Sequence, residues 1–276
     1  GYGSGRTNIT NLINSSGVVG ADVTGVGTAR NALAAAGYGG DKAIFGFGTT
    51  GSFTAITNLV NNSGVVAADV SGVGTARMEL AAATYGTDKA IFGYGTNSSE
   101  GTPLSLTNLV NNSGVVASDT TGVGTDKRTL AATGYGTDKA IFGYGLDSGN
   151  SSTTNLVSNS GVVATDTSGV GTARYGLAAA RYGGDKALFA YGYASGNVSL
   201  KNLVSNLGVV AADVSGVGTA RQGVAAAGYG GDKAIFGYGS SHVSNLVSNT
   251  GVVAADVSGV GTSRQYLAAA GYSTSA

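Results

Sequence analysis

The chain has no cysteine and no tryptophan, and its 276 residues include one proline, one methionine and one histidine. Without cysteine there is no disulfide framework, no thiolate nucleophile and no thiolate-held metal. The compartment stays open, because such a chain tolerates oxidising and reducing surroundings alike. Charge is scarce too. Charged residues make up 11% of the chain and cancel to a net of zero. That excludes the broad basic face that nucleic acid or an anionic lipid surface requires. No apolar run approaches the roughly 18 residues of a membrane-spanning helix, so no membrane insertion is expected. The opening "GYGSGRTNIT" has no signal-peptide character. The first residue is Gly1, not Met, and the chain reads as one processed or cut from something longer.

What is abundant is glycine, 49 residues of it, without the three-residue period of collagen and beside 42% apolar residues. That combination reads as an ordered β-rich protein with many tight turns. Self-similarity dominates. Asp-Lys-Ala-Ile/Leu-Phe starts at Asp41, Asp88, Asp138, Asp185 and Asp232, spaced 47, 50, 47 and 47 residues apart. Gly-Val-Val starts six times, at Gly17, Gly64, Gly114, Gly161, Gly208 and Gly251. Within residues 30–73 the pattern divides into four short strands, "RNALAAAGYG", "DKAIFGFG", "AITNLVNN" and "GVVAADVSG". Asn-Ser-Gly joins the third to the fourth, and Gly-Gly-Asp or Gly-Thr-Asp the first to the second. Glycine there supplies the positive φ of a tight hairpin.

Six such units of about 47 residues predict one all-β domain over residues 1–276, a six-bladed β-propeller of four-stranded antiparallel blades. The alanine run suits an innermost strand, where blades converge. "AIFGYG" suits a strand covered on both faces. The chain ends are out of phase. Gly1-Tyr2-Gly3 matches Gly93-Tyr94-Gly95 at the end of a second strand, and Gly271-Tyr272 matches Gly37-Tyr38 at the end of a first. One blade is therefore expected to be shared by the N- and C-termini, closing a ring where a solenoid would need caps. That blade lacks "DKAIF". Residues 273–276 fill part of its gap, or the chain is a piece of a longer repetitive protein.

The order Arg, small or apolar residues, "DKAIFGYG", variable loop and turn resembles the kelch repeat of β-propellers. The kelch Gly-Gly pair is split here as Gly-Tyr/Phe-Gly, and Val stands in the place of the kelch Trp. "TNLVNNSGVVA" and "GVGTAR" with "DKAIFGYG" are similar to kelch-like repeats of marine phage structural and tail proteins. The resemblance implies an extracellular or virion-associated adhesive module with no catalysis of its own.

Most of the charge sits in repeated slots. Asp22, Asp69, Asp119, Asp166, Asp213 and Asp256 lie in the fourth strands; Arg30, Arg77, Lys127, Arg174, Arg221 and Arg264 open the first strands; Asp-Lys pairs fill the turns. A residue repeated in every unit answers the same local demand in every unit, so the aspartates and cations read first as hydrogen-bonded pairs between strands or neighbouring blades. "GYGGDKAIFGYG" has the look of a phosphate loop. Such a loop opens a helix and follows its lysine with Ser or Thr, whereas this phrase runs into an apolar strand five times over. One carboxylate per Asp-Val-Ser-Gly-Val-Gly loop is too few for a tight calcium site. Neither a Ser-His-Asp set nor an isolated carboxylate pair stands out, and His242 in "GSSHVSN" reads as an exposed loop residue. The expectation is a protein that is not an enzyme and holds no cofactor and no metal.

Function is expected where the copies disagree. One variable zone is the pair after each cation: Asn31-Ala32, Met78-Glu79, Arg128-Thr129, Tyr175-Gly176, Gln222-Gly223 and Gln265-Tyr266. The other is the loop between second and third strands, residues 4–9, 49–56, 96–106, 146–153, 193–200 and 240–243. In a four-stranded meander both lie at one mouth of the central channel. Asn31, Met78, Glu79, Arg128, Tyr175, Gln222, Gln265 and Tyr266, with the six cations beside them, are the candidate binding residues. The partner expected is a cell-surface glycan or a protein receptor. The alternative is a purely structural spacer of a longer fibre.

Overall fold

The computed structural model describes residues 1–272, so residues 273–276, expected to fill part of a shared blade, lie outside it. Among the described residues there is no helix, and none long and apolar enough to cross a membrane. Fifteen strands form five antiparallel sheets. The first holds β1 (Ala34–Tyr38), β2 (Lys42–Gly46) and β3 (Thr57–Val60), the second β4 (Ala81–Tyr85), β5 (Lys89–Gly93) and β6 (Thr107–Val110). The third holds β7 (Ala131–Tyr135), β8 (Lys139–Leu146) and β9 (Asn150–Val157). The fourth holds β10 (Ala178–Tyr182), β11 (Lys186–Ala190) and β12 (Lys201–Val204), the fifth β13 (Ala225–Tyr229), β14 (Lys233–Gly237) and β15 (Ser244–Val247). Each is a meander with the "KAIFG" strand in the middle. In the first sheet Tyr38 pairs with Lys42 across the three residues Gly39-Gly40-Asp41, and the φ angles of 63° and 82° at Gly39 and Gly40 lie in the left-handed region that glycine enters freely.

Two expectations need correction. The fourth segment of each unit is not a regular strand. In the first unit it meets β3 at two bridges, Val60 with Val66 and Thr57 with Val70, so the fourth segment carries one residue more than β3 between them. That extra residue bulges the segment. The Asn58 side chain covers the irregularity, donating from Nδ2 to the Ala67 carbonyl at 3.0 Å. The described residues thus form five three-stranded sheets, each edged by a bridged segment, in place of six sheets of four strands.

The second correction concerns register at the N-terminus. The Gly1 amino group donates to the Arg30 carbonyl at 2.9 Å, as Gly48 N–H does to Arg77 and Gly95 N–H to Lys127. Tyr2 pairs with Gln265 as Thr49 pairs with Asn31. Gly1-Tyr2 therefore corresponds to Gly95-Thr96, two residues on from the sequence match to Gly93-Tyr94. A Gly-x-Gly phrase resembles itself after a slip of two, and only the hydrogen-bond pattern separates the registers.

The first strands of successive sheets pack on one another, β1 on β4, β4 on β7, β7 on β10 and β10 on β13. Their alanines line part of one cavity of about 1170 Å³, on the inner side the sequence assigned to them. Between sheets the aromatic of each middle strand rests on backbone. A Cβ added to Gly46, Gly93 or Gly143 would lie 2.7, 2.8 or 2.9 Å from the ring of Phe92, Phe142 or Phe189. A side chain there displaces the ring, so glycine permits the close approach at these three positions. The two chain ends also meet. Thr262 donates its hydroxyl to Asp22 at 2.6 Å, and Arg264 donates to Asn11.

Candidate recognition site

The variable pairs sit on a backbone feature that local sequence does not announce. The N–H of Glu79 donates to the carbonyl of Ala32, Thr129 to Glu79, Gly176 to Thr129, Gly223 to Gly176, Tyr266 to Gly223, and Ala32 to Tyr266, all at 2.7–3.0 Å. The sixth bond returns to the first residue. All six residues hold φ between 52° and 66°, the left-handed region that glycine enters freely and other residues at a cost. Glycine at 176 and 223 is therefore conformationally apt. The first member of five of the pairs is tied to the start of a loop by a bridge, Asn31 to Thr49, Met78 to Thr96, Arg128 to Leu146, Tyr175 to Tyr193 and Gln265 to Tyr2, and the sixth, Gln222, accepts one bond from the Ser240 N–H at 3.2 Å. Both variable zones thus meet along one line of backbone.

Side chains on and beside this line make several polar and aromatic contacts. Arg128 pairs with Glu79 at 2.6 Å, and the Thr129 hydroxyl donates to the same carboxylate oxygen at 2.7 Å. Tyr175 lies against Tyr193 with ring centroids 5.3 Å apart, and Arg6 donates to Asn31 Oδ1 at 3.0 Å. Burial pushes the Tyr266 hydroxyl pKa up, and the nearby Glu79 and Tyr175 add to it. Gln222 Oε1 is buried over Gly176 without a hydrogen-bond partner among the described residues. Met78 and Gln265 are half-buried in the same row. Sequence reading placed Arg6 and Tyr193 in variable loops, residues 4–9 and 193–200, but named neither as a binding residue, since nothing local tells which loop side chain turns toward the row. Beneath the row, Leu33, Leu80, Leu130, Leu177, Val224 and Leu267 help to enclose about 80 Å³. Small-molecule pockets are usually some 300–1,000 Å³, so only a surface contact suits this place.

The six cations have a different position from the one expected. Arg30, Arg77, Lys127, Arg174, Arg221 and Arg264 are at most 5% exposed and face the interior. Arg77 shows the pattern. Its Nε donates to Tyr94 O at 2.8 Å, Nη1 to Thr75 O at 3.1 Å and Nη2 to Asn108 Oδ1 at 2.7 Å, while its guanidinium lies 4.4 Å from the Phe47 ring centroid. Burial pushes its pKa down to about 10, and Asp119 pulls the other way, so it stays charged at neutral pH.

The expected Asp–cation pairs do form, though loosely, at 3.6–4.0 Å. The closer contacts of Asp119 are the Thr75 N–H at 2.9 Å, the Thr75 hydroxyl at 2.6 Å and Asn108 Nδ2 at 2.9 Å. Partial burial raises this carboxyl; the bonds from Thr75 and Asn108 and the charge of Arg77 outweigh it, leaving the pKa below its ordinary value. The same Thr, Asn, Asp and cation set recurs in every unit, including Thr262, Asn11, Asp22 and Arg264 from opposite ends of the chain. The asparagine of "TNLV" and the threonine of "GVGT" were visible as repeats, but their pairing needed the fold. His242 is exposed, as expected.

No protein-family model and no curated protein matches the chain.

Proposed function

We propose that the protein is a recognition module without catalysis of its own, built as a six-bladed kelch-like β-propeller in which one blade is assembled from both chain ends. It binds a glycan chain or a protein receptor through the row running from Asn31 to Tyr266, as part of a phage tail or another extracellular assembly. The observation that carries this reading is the cycle of six hydrogen bonds. Identical backbone in every unit presents six different side-chain pairs, a fixed frame with changeable contacts. Tyr175, Tyr193, Tyr266, Arg128 and Gln222 give that frame the aromatic and hydrogen-bonding groups that sugar rings and protein hot spots use. The shallow space beneath favours a large partner over a small one. Glycan-array screening of the wild type against a Tyr175→Ala, Tyr266→Ala double variant tests it. Binding by the wild type that falls at least tenfold in the variant supports the reading; array-wide silence of both, with no receptor captured, favours a spacer.

One observation favours that second reading. Val18, Val65, Val115, Val162, Val209 and Val252 are 60–65% exposed at the same place in six units. Repeated apolar exposure on bulged edge segments suits lateral packing in a larger assembly.

A further inference from the structure

The third unit departs from the others at one buried place. Where Arg77, Arg174 and Arg221 each set a guanidinium against an asparagine, this unit sets the primary amine of Lys127 against Asn155. An arginine guanidinium stays charged at neutral pH and is no nucleophile. An amine becomes one as soon as it gives up a proton beside an acyl carbon in a site that excludes water. Burial separates this lysine from its fellows. The lysines of the Asp-Lys turns are 41–49% exposed, whereas Lys127 is 0% exposed.

The neighbours of Lys127 are those that an amide exchange requires. Its Nζ lies 2.8 Å from Oδ1 of Asn155, one bond from the carboxamide carbon Cγ, and the Asn155 side chain is itself buried. On the other side of that amide, Nδ2 donates to Asp166 Oδ1 at 2.8 Å and to the Ala164 carbonyl at 3.1 Å. The same Asp166 Oδ1 stands 3.6 Å from Nζ. One carboxylate oxygen therefore reaches both the amine that would attack and the nitrogen that would leave. Its partner oxygen accepts from the Thr125 N–H at 2.9 Å and the Thr125 hydroxyl at 2.6 Å, which fixes the carboxylate in place. The buried ring of Tyr94 has its centroid 5.7 Å from Nζ. Burial pushes the Lys127 pKa down while Asp166 opposes the shift, so the neutral amine forms more readily than on an exposed lysine.

We propose that Lys127 and Asn155 join in an isopeptide bond that the folded protein forms by itself, with Asp166 as the proton carrier. Nζ gives a proton to Asp166 Oδ1, and the lone pair so freed makes the new bond to Cγ. The Cγ–Nδ2 bond then breaks. Nδ2 takes the proton from Asp166 and departs with a further proton from Nζ, so that one ammonium side chain and one carboxamide become a secondary amide and an ammonium ion. No oxidant or other reactant enters. The bond ties the approach to β7 to β9 across 28 residues of chain. Before it forms, Lys127 holds fewer contacts than an arginine would; once formed, it should carry the urea midpoint above that of Lys127→Arg. The inference depends neither on what the variable row binds nor on how the chain ends join.

Intact-mass spectrometry of the 276-residue protein, fresh and after prolonged incubation at neutral pH, tests the proposal. The expected mass is about 17 Da below that of the unmodified sequence, the loss of one ammonia. Tryptic digestion should then yield the peptides that contain Lys127 and Asn155 as a single linked species. Lys127→Arg, which gives this unit the residue of the other five, should fold and keep the full mass. Asp166→Asn, with its folding checked by a urea transition, should slow the loss at least about tenfold. Full mass in the wild type at both times, a deficit kept by Lys127→Arg, an undiminished rate in folded Asp166→Asn, or a deficit confined to the Asn155 peptide as a cyclic imide overturns the proposal.

Discussion

Lysine stands at position 127 where the other five units place arginine, and the exchange removes contacts. Arg174 donates from Nε to Tyr191 O at 2.9 Å and stacks 4.4 Å over Tyr144. Lys127 bonds Asn155 at 2.8 Å but makes no such bond to Tyr144, and its Nζ lies 5.7 Å from the Tyr94 centroid. Lys127→Arg should therefore raise stability by about 1 kcal/mol over the chain whose Lys127 is unlinked, seen as a higher urea midpoint at unchanged slope. Ala32 supplies a second case. Its φ of 53° strains an alanine where Gly176 and Gly223 are relaxed, so Ala32→Gly should stabilise by about 1 kcal/mol, against the usual cost of glycine. Sequence alone read Ala32-type variability as a record of recognition. Half of it is backbone conformation, which no side-chain comparison reveals.

At the scale of strands, the middle strand is where sequence spoke most plainly. "KAIFG" reads as covered on both faces, and the buried Ile91, Phe92, Ile141 and Phe142 agree. Its glycine is explained only by the neighbouring sheet. Where the fourth sheet carries Ala190 instead, the next ring sits at 5.4 Å from its partner, against 5.1 Å elsewhere. Gly143→Ala should accordingly cost about 1 kcal/mol as Phe189 is pushed aside. Gly237→Ala, with open space around it, should gain about 0.5 kcal/mol. Thermal melts of the two variants should shift in opposite directions. The fourth segment was legible as apolar and turn-bounded but not as bulged, because its irregularity depends on Asn58 and its equivalents replacing backbone bonds across a strand boundary.

At the scale of the whole molecule, the six sets of Thr, Asn, Asp and cation should respond together to pH. Asp22 is held below its ordinary value first by the Thr262 hydroxyl. In Asp69, Asp119, Asp166, Asp213 and Asp256 burial opposes the shift, and threonine, asparagine and the neighbouring cation prevail. A depressed carboxylate pKa contributes stability above the unfolded value of 3.8 that is lost as pH falls through the folded value. The melting temperature should hold above about pH 5 and drop steeply below about pH 4. Joining of the ends is checked by Asp22→Cys with Thr262→Cys in a chain that has no other cysteine. A short bismaleimide should link the two within one chain, giving a faster-migrating band on a denaturing gel. The sequence by itself determined the units, their strand order and the inward place of alanine, because period and turn chemistry are local and repeated six times. Only the tertiary structure decided that the cations face inward, that Gly1 stands two residues later in register, and that six backbone groups bond in a cycle. Those depend on which segments, distant along the chain, come within hydrogen-bonding reach.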